Sequence, residues 1–207
     1  MTEVEWLNAT GMDSPLESHE FVVAAQKPDD VDLEGYLFPD TYRFSVDMGA
    51  EGIAKIMLDN MAEQVENLGR PNGDAAGMTM HEVLTLASIV EREVRQPSTI
   101  KNVADIFLKR LEIGMALQAD STVNYITGGD DPSISLEDRD NTDSPYNTYR
   151  YPGLPPGPIS APGMNAIDSV LNPANNNYLY FLTTDSGEIY YAVTHDEHVA
   201  NKARYLK

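Results

Sequence analysis

Glu91 and Glu93, in the run Leu86-Ala87-Ser88-Ile89-Val90-Glu91-Arg92-Glu93, are the residues of this chain best suited by type and spacing to acid–base chemistry. On a helix over residues 79–94, at about 100° per residue, Glu91 falls about 80° from Val83, between Ala87 and Leu84 and inside the apolar arc. A carboxyl there loses hydration, which penalises its charged form and raises its pKa, as a general acid near neutral pH requires. Glu93 is turned about 160° away from Glu91, beside Leu86, so the two do not form one paired site. An ion pair between Glu91 and a neighbouring arginine is the purely structural alternative.

Other chemistries find less support. The chain has no cysteine, which removes thiolate nucleophiles, thiolate metal ligands and disulfides. His195 and His198 could share a helix face, but His19 and His81 are far off in sequence and no acidic pattern completes a metal site. No Gly-x-Ser-x-Gly elbow is present. The expectation is an activity that needs no metal and no cofactor. With 14 Lys and Arg against 33 Asp and Glu, the formal charge of −19 excludes the broad positive field that binds nucleic acid. No apolar run approaches the length of a membrane helix.

The elements that must position Glu91 can be read in outline. Ser14-Pro15-Leu16-Glu17 has the form of a capping box opening a short helix. Leu33 to Tyr42 reads as an extended aromatic segment, and helices are expected over 50–68 and 97–113, the latter stopped by Gly114. Leu117 to Val123 reads as a short strand entering a helix, and 128–162 as a loop-rich, proline-dense stretch. A helix near 165–171 precedes two aromatic runs around Asp185-Ser186-Gly187, a β-hairpin, and Thr194 to Glu197 is a second capping box opening a last helix. The class is α+β: a helix-rich catalytic domain with small antiparallel β elements, including a C-terminal hairpin.

Several of these strings together resemble one family. Leu33 to Phe44 (LEGYLFPDTYRF), Leu86 to Glu93 (LASIVERE), Leu117 to Tyr125 (LQADSTVNY), Ser144 to Tyr149 (SPYNTY) and Gly153 to Gly163 (GLPPGPISAPG) are similar, in order and spacing, to the YceG-like endolytic murein transglycosylases, MltG. The resemblance implies that Glu91 is the catalytic acid and base. It also implies internal cleavage of peptidoglycan glycan strands between N-acetylmuramic acid and N-acetylglucosamine, leaving 1,6-anhydro-muramoyl ends. It further implies that residues 1–27 are the tail of a preceding LysM-like subdomain and residues 28–207 the catalytic domain. An N-terminal membrane anchor outside this chain would hold the protein at the extracytoplasmic face of the bacterial cell membrane, with penicillin-binding proteins and the elongation machinery as candidate partners.

One carboxyl suffices for that chemistry, since the C6 hydroxyl of the sugar replaces water and proximity replaces a second carboxyl. Positioning of the N-acetyl group then falls to hydroxyl and amide side chains. By type and segment, the candidates are Gln118, Asp120 and Thr122, then Tyr146, Asn147, Thr148 and Tyr149, with Pro155 and Pro156 stiffening a cleft wall. Capping and loop bracing are the alternative roles for these residues. Two rival functions stand beside this one. The first is a two-carboxylate glycoside hydrolase using Glu91 with Asp120 or Glu34. The second is a non-catalytic peptidoglycan-binding or scaffold module.

Overall fold

The computed structural model describes residues 1–69, 73, 77–94, 96–129, 134–184 and 186–206. Among the described residues the order is α1 (Glu3–Thr10), α2 (Glu20–Ala24), α3 (Ala50–Asn67), α4 (Met80–Glu93), α5 (Pro97–Glu112), α6 (Asp120–Thr127), α7 (Leu136–Asn141), α8 (Met164–Leu171), β1 (Tyr180–Thr183), β2 (Ile189–Ala192) and α9 (His195–Tyr205). This is the α+β arrangement expected.

The fold is built around α4. Thr79 and Glu82 cap it reciprocally, side chain to backbone in both directions. From Met80 to Val90 the helix is buried almost all round, packed against α5 and α8 with α6 near its C-terminal end. Each buried Leu, Ile or Val contributes about 1.5–3 kcal/mol of apolar burial, so packing decides where this helix sits. Leu33, Tyr36, Leu58 and Ile167 join the same core. Leu16, Phe21, Val22 and Ala25 belong to it too, and the Ala25 carbonyl accepts from His81 N at 3.0 Å.

One buried relay links two of the family-like strings through His81 of α4. Tyr36 donates its hydroxyl to His81 Nδ1 (2.7 Å), and His81 Nε2 donates to the Pro156 carbonyl (2.9 Å). A carbonyl can only accept, so Nε2 carries a proton, and the Tyr36 contact fits the neutral ring tautomer with Nδ1 as acceptor. Burial holds its pKa below the ordinary value. Gly35 is required beside it: its φ is +83°, and a Cβ there would sit 2.3 Å from Pro158 Cβ.

The hairpin pairs β1 and β2 antiparallel, with Tyr180 opposite Ala192 and Thr183 opposite Ile189, and α9 packs on both strands. Asp185, at the expected turn, lies outside the described residues. Thr194 and Glu197 form the expected capping box.

Two expectations fail for local reasons. Ser14 Oγ is engaged with the Ala9 carbonyl and Glu17 pairs with Lys27 Nζ at 3.1 Å, so the helix starts only at Glu20, capped by His19. The stretch before α6 is no strand, because Gln118 adopts φ +52° and the amide groups of Gln118 and Ala119 are taken by Thr148. Two helices were not anticipated: α1, closed by a Thr2–Glu5 capping box, and α7, capped by Ser135.

Candidate functional site

Glu91 stands on the last turn of α4, where the helix leaves the core. The side chain is exposed, contrary to the expected burial, and Oε2 accepts from Gly163 N at 3.2 Å. Gly163 is the N-cap residue of α8 and has no side chain to cap with. The carboxyl therefore rests against the opening of α8 through Oε2, and among the described residues Oε1 has no hydrogen-bond partner.

The segment running into Gly163 is fastened to the same helix. Ile159 N donates to Ser88 Oγ (2.9 Å) and Ser160 Oγ to the Ser88 carbonyl (3.2 Å), while Ser88 Oγ donates to the Thr85 carbonyl at 2.7 Å. Ser88 is fully buried, one turn before Glu91. Its signal in the sequence was a small polar residue in an otherwise apolar run.

The desolvation expected of Glu91 falls on Glu93 instead. Its half-buried carboxyl is pushed above the ordinary value by burial; two hydrogen bonds from Ser121 and the Arg110 charge oppose this, and nearby Asp120 adds to it. The N-cap of α6 is Ala119, which has no capping side chain. Glu93 Oε1 supplies the cap from another helix, accepting from Ser121 N (3.2 Å) and Ser121 Oγ (2.7 Å).

Both bonds end on Oε1, so a glutamine can keep them while carrying no charge to desolvate. Glu93→Gln is expected to leave stability near wild type, whereas Glu93→Ala strips the cap and costs about 1–3 kcal/mol. The sign with pH follows from the raised folded-state pKa. Folded protein keeps a proton that unfolded chain releases near the ordinary 4.5, so this group's contribution declines as pH rises from there through the folded value. Unfolding by urea from about pH 4 to about pH 8 should show that decline in wild type and its loss in Glu93→Gln. Equal destabilisation by both substitutions would contradict the capping role.

The remaining candidates divide into a knot and a few exposed groups. Thr122 and Thr148 are fully buried and hydrogen-bond each other through their hydroxyls (2.9 Å), and Thr148 Oγ1 accepts from Ala119 N at 3.1 Å. Asn147 is fully buried too. Its Nδ2 donates to the Arg139 and Thr142 carbonyls (2.9 Å each) and its Oδ1 accepts from Tyr149 N (3.1 Å). It braces the loop from within, where a cleft-facing amide was expected. Asp120 Oδ1 accepts from the Tyr149 hydroxyl at 2.5 Å, and both residues remain half-buried. Gln118 is exposed on its left-handed backbone.

Pro156 serves the His81 relay, and Pro155 lines a groove of about 800 Å³ with His81, Thr85, Leu108, Lys109 and Leu154, which Glu91 does not border. Glu34 and Tyr125 form a further pair, the Tyr125 hydroxyl donating to Glu34 Oε2 at 3.2 Å. Burial raises the Glu34 carboxyl above its ordinary value, and Arg92, next to Glu91, pulls it back. Among the described residues no cluster of three His, Asp or Glu could hold a metal ion, and no helix is long and apolar enough to cross a membrane.

The YceG-like family model matches residues 3–204. The endolytic murein transglycosylase of Bacillus subtilis is 38% identical over 175 residues, covering 84% of this chain and 48% of that protein. The protein of the same name from Streptococcus pneumoniae is 35% identical over 179 residues, covering 84% of this chain and 32% of its own length. The chain thus spans about half or less of the curated relatives it matches. A crystal structure of a yceG-like protein from Listeria monocytogenes superposes with a TM-score of 0.83 at 34% identity, over 97% of this chain and 67% of that one.

Proposed function

The chain belongs to the YceG-like family, and from that premise we propose that it is the catalytic part of an endolytic peptidoglycan lytic transglycosylase. The observation that carries the reading is Glu91: an exposed carboxyl on a buried helix, oriented by one backbone N–H, with its other oxygen free of partners among the described residues. The relatives named endolytic murein transglycosylase support it.

An N–H donates only, so Oε2 stays the acceptor and the working proton sits on Oε1. Glu91 donates it to the glycosidic oxygen between N-acetylmuramic acid and N-acetylglucosamine as the bond to the anomeric carbon breaks. The resulting carboxylate takes the proton of the muramoyl C6 hydroxyl, whose oxygen closes on the anomeric carbon to give the 1,6-anhydro ring. No water is consumed and no cofactor enters. The bound glycan itself covers Glu91 and supplies the desolvation that the free protein lacks. Gln118, Asp120, Tyr146 and Tyr149 keep enough exposure to contact sugar, whereas Thr122, Asn147 and Thr148 act by holding the loop and α6. Residues 1–27 are the tail of a LysM-like subdomain, and an N-terminal anchor places the whole protein at the outer face of the cell membrane beside penicillin-binding proteins.

Mass spectrometry of purified glycan strands after incubation with the chain tests this reading. Internal fragments with anhydro-muramoyl ends are expected. Reducing ends would transfer the chemistry to a two-carboxylate hydrolase with Asp120 or Glu34 as the second acid, and binding without fragments would mark a non-catalytic module.

A further inference from the structure

We propose that Glu34, with the rings of Tyr125 and Tyr146, forms a subsite beside Glu91 that binds an N-acetylated hexose ring of the glycan strand. The proposal rests on the function proposed above and names the residues that fix the strand on one side of the acid.

Glu34 is mounted rigidly. Its N–H donates to Asp32 Oδ1 at 2.9 Å, and Gly35 behind it lies against Pro158 and the Ser160 carbonyl. Ser160 is tied to Ser88, and three residues further on Gly163 holds Glu91. Residues 160–163 span at most about 11 Å even when fully extended, so Glu34 and Glu91 stand at the two ends of one short fixed strip. Arg92 acts on the Glu34 carboxyl from the α4 side.

The chemistry of the pair suits a sugar. The rings of Tyr125 and Tyr146 lie 5.1 Å apart, tilted by 41°, and Tyr125 is 37% exposed, so one face is available to the C–H side of a pyranose. The Tyr146 hydroxyl is backed by Gly157, where an added Cβ would come within 3.2 Å of it, which keeps the second ring in place. Glu34 Oε2 is occupied by the Tyr125 hydroxyl, and among the described residues Oε1 has no partner. An oxygen with only lone pairs to offer, next to an aromatic face, accepts from the hydroxyl or acetamido N–H donors of a neutral sugar. Because both components are held before binding, little side-chain freedom is lost on contact.

Glu34→Gln makes the test sharp. The amide oxygen can still accept from Tyr125, so the fold keeps its contact, but the amide nitrogen puts a donor where Oε1 accepted. Binding of peptide-free glycan strands is measured on the Glu91→Gln chain with and without Glu34→Gln, and the KM and kcat of Glu34→Gln alone are compared with wild type. Glu34→Gln is expected to weaken strand binding roughly 10- to 100-fold and to raise KM comparably, with kcat within about threefold. Tyr125→Ala should weaken binding by about fivefold or more through the lost ring, while Tyr125→Phe should stay close to wild type. Unchanged binding and KM in Glu34→Gln, or a loss of kcat at constant KM, would overturn the subsite alone. Failure of the Glu91→Gln chain to bind strands at all would overturn the proposed function and the subsite with it.

Discussion

Glu91→Gln is expected to reduce glycan cleavage by about 10²- to 10⁴-fold or more while the melting temperature stays within error of wild type. The upper end is favoured because, in the proposed mechanism, one carboxyl serves both half-reactions, giving a proton to the leaving oxygen and then recovering one from the attacking hydroxyl. The structure separates chemical loss from structural loss. Glu91 is exposed and, among the described residues, its side chain makes a single hydrogen bond, from Gly163 N, which a glutamine carbonyl can accept equally well. An exposed substitution of this kind ordinarily moves stability by no more than about 0.5 kcal/mol. Cleavage rates on purified strands beside thermal unfolding curves check the prediction. Turnover close to wild type, with the same melting temperature, would remove Glu91 from the mechanism.

Asn147→Ala has the largest expected effect on stability. The side chain is fully buried and its amide makes three hydrogen bonds, two as donor to the Arg139 and Thr142 carbonyls and one as acceptor from Tyr149 N. Truncation leaves those partly buried backbone groups without their side-chain partner and opens a small void. Each unpaired group costs about 1–3 kcal/mol where water cannot enter, so a net loss of about 2–4 kcal/mol is expected after partial relaxation. For a domain of this size that lowers the melting temperature by roughly 4–16 °C. Activity at low temperature should fall less than stability does, since in the proposed function Asn147 orders the loop without contacting sugar. A melting temperature unchanged from wild type, with activity lost, would return Asn147 to the cleft.

The sequence was most legible where a signal is local. The starts and stops of α3, α5 and α8 follow from apolar period, proline and glycine, and the Thr194–Glu197 box marks α9 to the residue. It was least legible where a side chain chooses a distant partner. Ser14 and Glu17 have the spacing of a capping box but serve Ala9 and Lys27 instead. A helical wheel treats α4 as though the core surrounded its whole length. Val90 is the last buried residue within α4 before Val94 returns to the core, so Glu91 emerges and Glu93, on the other side, turns under α6. The strings SPYNTY and LQADSTVNY pointed to the right segments without revealing side-chain direction. Thr122, Asn147 and Thr148 point inward, a property of how two loops meet that neither string contains. Gly163 was quoted as the end of a string, and its N–H became visible as a partner of Glu91 only in three dimensions.

The fastening of Ser88 to Ile159 and of Glu91 to Gly163 has a consequence for the order in which the molecule becomes competent. These bonds join residues 71 and 72 positions apart. Helix α4 can form early from its own capping box and neighbouring turns, but closing loops of that length must wait for the intervening chain and lowers the entropy of whatever remains unfolded. During synthesis the acid therefore exists long before the strip that orients it. A nascent or truncated chain ending before Gly163 carries Glu91 on a formed helix without the backbone N–H that orients it. If the proposed activity on peptidoglycan holds, that delay is a safeguard written into the connectivity of the fold.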